Sequence, residues 1–299
     1  RTRKELNAMK AYTKGIVCIL MSAFCFAVMN VCVRLAGDLP SVQKSFFRNL
    51  IAAVFALVLL IREKQMPVIT RRQLPLLILR SVFGTIGILC NFYAVDHLVL
   101  ADASMLNKMS PFFAIICSCL VLKEKITPVQ GTAVLAAFIG SLLIIRPTFS
   151  NMDLFPSLIG LLGGAGAGAA YTMVRKLGQT GINRTVIVLF FSAFSCLVTL
   201  PFLVFDYHPM SGMQLLALLG AGLAASGGQF AITAAYCYAP AREISVYDYS
   251  QVIFSALLGF VLFQQIPDQM SILGYILICG SGVALFFYHR RQADCVKSQ

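Results

Sequence analysis

The chain has 299 residues, 59% of them hydrophobic and 12% charged, with a formal net charge of +12 and a mean hydropathy of +0.82. A soluble domain carries roughly 25% charged residues, so this composition excludes an ordinary soluble enzyme or binding module and predicts an integral membrane protein. Lysine and arginine fall in short clusters between apolar runs rather than in a stripe with interleaved aromatics, so no nucleic-acid partner is expected and the charge reads as membrane topology.

Taken in chain order, runs of the ~17–25 mostly apolar residues that a helix needs to cross ~30 Å of hydrocarbon lie near 15–34, 43–62, 74–95, 101–122, 129–145, 154–175, 184–205, 213–239, 244–263 and 270–288. No short apolar region with a small-residue cleavage site precedes the first run, so no cleavable signal is expected. The fold class expected is all-α, with ten transmembrane helices in two five-helix repeats, 15–145 and 154–288. A cytoplasmic N-terminal segment (1–14) and a cytoplasmic tail (289–299) flank them.

Orientation follows from the basic residues. With the N-terminus in the cytoplasm, cytoplasmic segments hold Arg1, Arg3, Lys4, Lys10, Lys14, Arg62, Lys64, Arg71, Arg72, Lys123, Lys125, Arg175, Lys176, Arg184, Arg242, Arg290, Arg291 and Lys297. The opposite side keeps Arg34, Lys44 and Arg146. The positive-inside rule therefore puts both termini in the cytoplasm of a multi-pass protein of the plasma (inner) membrane.

The chain repeats itself. Val33 to Gly37 (VRLAG) closes the first span and Val174 to Gly178 (VRKLG) the sixth, and SPFFAIICSCLVLKE from Ser110 parallels SQVIFSALLGFVLFQ from Ser250. Five spans per half is an odd number, so the second copy enters the membrane upside down, the arrangement in which one half rocks against the other around a site near the midplane. Gly160, Gly164 and Gly168, and likewise Gly220, Ala224 and Gly228, recur every four residues and read as close-packing faces.

Polar residues share helix faces on several spans. Ser104, Asn107, Lys108 and Pro111 lie on one face of the fourth, and Ser245, Asp248, Gln251 and Ser255 on one face of the ninth with Tyr247 beside them. Ser22, Phe26 and Asn30 mark the first span, Gly84, Gly87 and Asn91 the third, and Gln229, Thr233 and Tyr236 the eighth. The candidate substrate-binding set is Asn30, Asn91, Asn107, Lys108, Tyr171, Gln229, Tyr236, Tyr247, Asp248 and Gln251; Tyr93 joins the aromatics available for stacking. A charge on the lipid face costs ~2.5–3.5 kcal/mol even on the mildest insertion scale, so Lys108 and Asp248 read either as a structural ion pair or as contacts for a charged substrate. Straight antiparallel helices put Lys108 toward the outside and Asp248 toward the cytoplasm, so the sequence does not assure direct contact. Arg80 is expected to snorkel toward the cytoplasmic face and Arg48 to face water near the outer one. Asp248 is also the candidate carrier of a coupling proton, because burial favours the neutral form of a carboxylic acid.

The ten cysteines include no CxxC pair and have no nearby histidine ligands, so neither a zinc site nor a disulfide framework is expected; Cys18, Cys25 and Cys32 read as small packing residues on one stripe. His97, His208 and His289 sit at span ends, so no histidine is placed for catalysis at the midplane. No phosphate-binding loop indicates an ATPase engine.

The pattern Ala103-Ser104, Ser110-Pro111, Leu122, Glu124, Gln130, Gly131 and Gly140, together with Arg48, resembles the drug/metabolite transporter superfamily and its EamA-like family over nearly the whole chain. Gln251 and Gln264 stand where that family usually has proline and glutamate. The resemblance implies a basket of ten helices around a cavity formed by spans one, three, four, six, eight and nine, and cargo among amino acids, nucleotide sugars, vitamins and other polar metabolites. The expected function is that of a secondary transporter working by alternating access on a small-molecule substrate, zwitterionic or anionic, such as an amino acid or related compound. No cofactor is expected, a coupling proton is, and the expected assembly is a monomer or homodimer in the lipid bilayer. A channel or facilitator and an intramembrane enzyme are the alternatives.

Overall fold

The computed structural model describes residues 3–63, 69–110, 112–114, 116–117, 127–145, 153–178, 180–238 and 245–297. Pro111, Leu122, Glu124, Arg146 and Arg242, and the side chains of Gln130, Tyr236 and Ser245, lie outside the described residues.

The described residues form helices and no strand. They are α1 (Arg3–Leu35), α2 (Ser41–Arg62), α3 (Leu74–His97), α4 (Leu100–Asn107), α5 (Pro128–Ile145), α6 (Leu154–Gly178), α7 (Arg184–Phe205) and α8 (Gly212–Tyr238). A 3-10 turn (Ser245–Tyr249) then leads into α9 (Ser250–Phe263), and α10 (Gln269–Lys297) follows. Seven stretches within these helices are long and apolar enough to cross a membrane, and two shorter apolar ones cover Gly131–Ile144 and Tyr247–Phe263.

Local chemistry sets the helix ends. At α8, Ser211 and Gln214 bond each other's backbone N–H groups (3.2 and 2.9 Å), a reciprocal cap that satisfies two orphan donors. Asn183 accepts from the Thr185 N–H at the start of α7, and Asp268 accepts from Met270 and Ser271 at the start of α10. α9 stops where Gln264 turns left-handed (φ 52°) and the Gln264 and Gln265 N–H groups bond the Phe260 and Gly259 carbonyls.

The fourth expected span is interrupted. α4 covers only Leu100–Asn107; Lys108 leaves the helix at ψ 4°, and the chain passes through 3-10-type bonds from Met109 to Leu106 and from Phe112 to Met109. Pro111 in the sequence accounts for the stop, since it brings no N–H to the Asn107 carbonyl four residues back. The ninth expected span is likewise not regular from its start, because the 3-10 turn carries Asp248.

Each helix of the first half packs chiefly on one from the second: α1 on α8, α2 on α7, α3 on α6, α5 on α10, and α4 on α9 and α6. Glycines set the closest approaches. A Cβ at Gly164 or Gly168 would stand 2.5 Å from the Leu106 or Ser110 carbonyl oxygen, and one at Gly166 would stand 2.9 Å from that of Phe83, so α6 touches both the interrupted segment and α3 backbone to backbone. Large apolar side chains such as Ile61, Leu197, Phe205, Ile253 and Leu257 point outward, as a lipid-facing surface requires. The core, including Phe92, Leu100, Met105, Leu106 and Phe112, sits around α4.

Candidate functional site

The two interruptions face each other. Lys108 Nζ lies 2.6 Å from Asp248 Oδ2, and each side chain is 4% exposed. The expectation of separate depths is therefore corrected. In unbroken helices both side chains would lean toward their own N-termini and so away from each other, and a break at each charge removes that constraint. The surrounding dipoles suit the pair, because Lys108 caps the C-terminus of α4 and Asp248 precedes the N-terminus of α9. Asp248 Oδ1 is buried without a partner among the described residues.

A polar chain runs beside this pair. Asn91 Nδ2 donates to Asn30 Oδ1 (3.2 Å), Asn30 Nδ2 to Ser104 Oγ (3.4 Å), and the Ser104 hydroxyl to Ser255 Oγ (2.7 Å), joining α3, α1, α4 and α9 through buried groups. Asn91 Oδ1, an acceptor, has no donor among the described residues. The polar stripes on these four helices thus converge.

Other expected members stand apart or at the edge. Gln251 is buried at the second residue of α9, Gln229 is buried on α8, and Asn107 is half-buried beside Lys108. Tyr247 is half-buried, packs edge-on against Phe286 and belongs to a small cluster with Ile19 and Ala235. Tyr93 stacks on His97. Tyr171 on α6 lies within electrostatic reach of Asp248, Arg48 and Arg80.

The two arginines depart from expectation. Neither reaches a face of the bundle: Arg48 is 2% and Arg80 3% exposed, and both guanidinium carbons lie over the ring of Phe191 on α7, at 5.9 and 4.1 Å from its centroid. Arg48 Nη1 donates to Asn49 Oδ1 at 2.5 Å, and Asn49 is itself held by Ser45 and Ser195. The Arg80 guanidinium occupies the space that a Cβ at Gly84 would take, 2.2 Å from its Nη1. Gly84, one turn after Arg80, was the signal in the sequence; the partner ring more than a hundred positions away was not.

The ends of the bundle differ. At one, Lys44, fully buried, pairs with Asp96 (2.6 Å), Arg34 donates to the Val95 and Leu98 carbonyls, the Tyr275 hydroxyl donates to Asp102, and Gln265 accepts from the Leu100 N–H. At the other, a cleft of about 480 Å³ opens among Glu63, Asn183, Thr185, Phe230 and Thr233, with Asn183 and Thr185 donating to Glu63. Among the described residues no cluster of His, Cys, Asp and Glu is arranged to hold a metal ion.

Comparison with known proteins gives this architecture its relatives. The sequence is 32% identical over 274 residues to the pseudopaline exporter CntI of Pseudomonas aeruginosa, covering 91% of this chain and 95% of that one. It is 29% identical to a riboflavin transporter of Vibrio cholerae (89% and 90% covered) and 28% identical to the human solute carrier family 35 member G1 (90% and 78% covered). A protein crystal structure superposes with a TM-score of 0.67 at 16% identity, over 94% of this chain and 99% of its own, and shares the fold. The profile of the EamA-like transporter family matches twice, over residues 13–146 and 154–288. With its multiple apolar helices, this chain is a multi-pass membrane protein that belongs to the EamA-like transporter family.

Proposed function

We propose that the protein is a secondary transporter that moves a small polar metabolite, zwitterionic or anionic, by alternating access in the plasma membrane. The observation that carries this reading is the buried Lys108–Asp248 pair, held where α4 ends and α9 begins. Discontinuous helices with charged groups at their ends are how transporters expose polar backbone to cargo inside a membrane. The repeats are 15–145 and 154–288, inverted relative to each other. Helix packing supports this: exchanging each span for the one five later turns the α1–α8 contact into α6–α3 and the α1–α9 contact into α6–α4, and all four occur.

Both termini face the cytoplasm, so the Lys44–Asp96 end is external and the Glu63 cleft cytoplasmic. A cysteine replacing exposed His97 is labelled by an impermeant reagent in intact cells, and one replacing exposed Arg72 is not; the reverse pattern inverts the topology. Asp248 carries the coupling proton on Oδ1, the oxygen that has no hydrogen-bond partner among the described residues. The relatives bear different cargo names, so the transport class carries over to this chain and a particular substrate does not.

The test is solute counterflow in proteoliposomes loaded with metabolites that first raise the melting temperature of the solubilised protein. A carrier accumulates labelled substrate against its unlabelled pool. Equilibration without overshoot identifies a channel and overturns alternating access.

A further inference from the structure

We infer that Arg48 and Arg80, with the Phe191 ring beneath them, form an oxyanion-binding site that holds a carboxylate or phosphate group of a soluble cargo. The inference rests on the transport reading and deepens it by naming the part of the cargo that is gripped.

Two buried guanidinium groups share one aromatic ring. Among the described residues no carboxylate lies within ion-pairing distance of either, and Asp248 is committed to Lys108. Among the described residues the buried Nε atoms of both arginines find no partner, and the Arg48–Asn49 bond is the one hydrogen bond that either side chain makes. The buried hydroxyls of Thr85, next to Gly84, and Ser192, next to Phe191, likewise have no partner among the described residues.

Proteins bury charge when it is paired, and a ring face compensates a cation only in part. Two like charges packed together raise the cost further, which is the signature of a site whose partner arrives from outside. Guanidinium forks match the oxygens of a carboxylate or phosphate bidentately, whereas chloride offers them no such geometry. Local packing keeps the forks in place. Asn49, fixed from Ser45 and Ser195, orients Arg48, and the missing side chain at Gly84 lets the Arg80 fork lie against its own helix.

The experiment is thermal unfolding of the detergent-solubilised protein in sodium phosphate, sodium malonate or sodium chloride at equal ionic strength. At saturation phosphate or malonate raises the melting temperature by a few degrees beyond chloride. Arg48→Gln and Arg80→Gln each abolish that rise, while their melting temperatures without anion stay at or above that of the unsubstituted protein because an unpaired charge has been removed. A second readout needs no variant: phosphate slows modification of Arg48 and Arg80 by phenylglyoxal, followed peptide by peptide by mass spectrometry.

The assignment is overturned if neither anion exceeds chloride, or if the rise survives in the double variant. It is also overturned if Arg80→Gln lowers the basal melting temperature and Arg80→Lys restores it, which marks a purely structural cation over Phe191. A rise with phosphatidylglycerol micelles but not with soluble phosphate puts a lipid headgroup at the site and also defeats it. None of these readouts requires transport. Counterflow of a metabolite without an anionic group, in a protein that ignores both anions, would keep the transport reading and remove this one.

Discussion

The interior holds two cationic centres that the chain treats in opposite ways. Lys108 meets a carboxylate at 2.6 Å between two helix ends whose dipoles favour both charges. Arg48 and Arg80, on the unbroken helices α2 and α3, meet an aromatic ring and each other. The first centre is complete in the empty protein and the second is not. The difference separates a charge pair that a conformational change has to carry or break from a charge pair that waits for a ligand.

The largest effect that sharpens this contrast comes from Asp248→Asn. It leaves Lys108 buried without an anion, for which the expected loss is about 3–5 kcal/mol. The melting temperature of the solubilised protein falls by roughly 10 °C. Combining it with Lys108→Met recovers most of the loss, because both charges are then gone. If the single change leaves the melting temperature untouched and only uptake is lost, the pair is not a structural unit and Lys108 and Asp248 act separately on the cargo. Strong thermal coupling with rescued uptake in the double variant gives the opposite answer, a structural ion pair with no substrate role.

An intermediate effect is expected beside the pair. Asn91→Leu leaves Asn30 Oδ1 without its donor and costs about 1–3 kcal/mol. Asn107→Leu, at a half-buried position, costs less than Asn91→Leu in melting temperature and lowers counterflow instead. Equal thermal losses at the two positions would show that both are structural hydrogen-bond partners. The smallest effect belongs to the second centre: Arg80→Gln changes stability by no more than about 0.5 kcal/mol in the empty protein. A loss as large as that of Asp248→Asn would erase the distinction between the centres.

Much of the helical frame is legible in the sequence, because an apolar run of about 20 residues has few other ways to hide its backbone in lipid. The converging stripes of Asn30, Asn91, Ser104 and Ser255 are legible for a similar reason, since the helical period puts each on a defined face. The interruption at Lys108 is less so. Hydropathy runs smoothly through Met109, Phe112 and Phe113, and only Pro111 marks the place where a carbonyl loses its donor. Treating the fourth and ninth spans as straight rods separates Lys108 from Asp248, although the register that sets Ser110 against Ser250 also sets these two opposite charges against each other. Arg48 and Arg80 were read as reaching toward water because a lone arginine near a span end usually does. Their meeting over Phe191 depends on how α2, α3 and α7 pack, which no local pattern encodes.

The arginine pair also has an electrical consequence. At the centre of the bundle Arg48, Arg80 and Lys108 stand against Asp248, three cations to one anion, which leaves an excess of two. A charge carried through the full transmembrane voltage gains or loses ~2.3 kcal/mol per 100 mV. On the transport reading, and with Asp248 ionised throughout, the empty carrier is then the form that feels the voltage, and a divalent anion makes the loaded form electrically silent while a monovalent one leaves a single charge to move. The dependence of the pre-steady-state current on holding potential therefore reports the valence of the cargo before its identity is known.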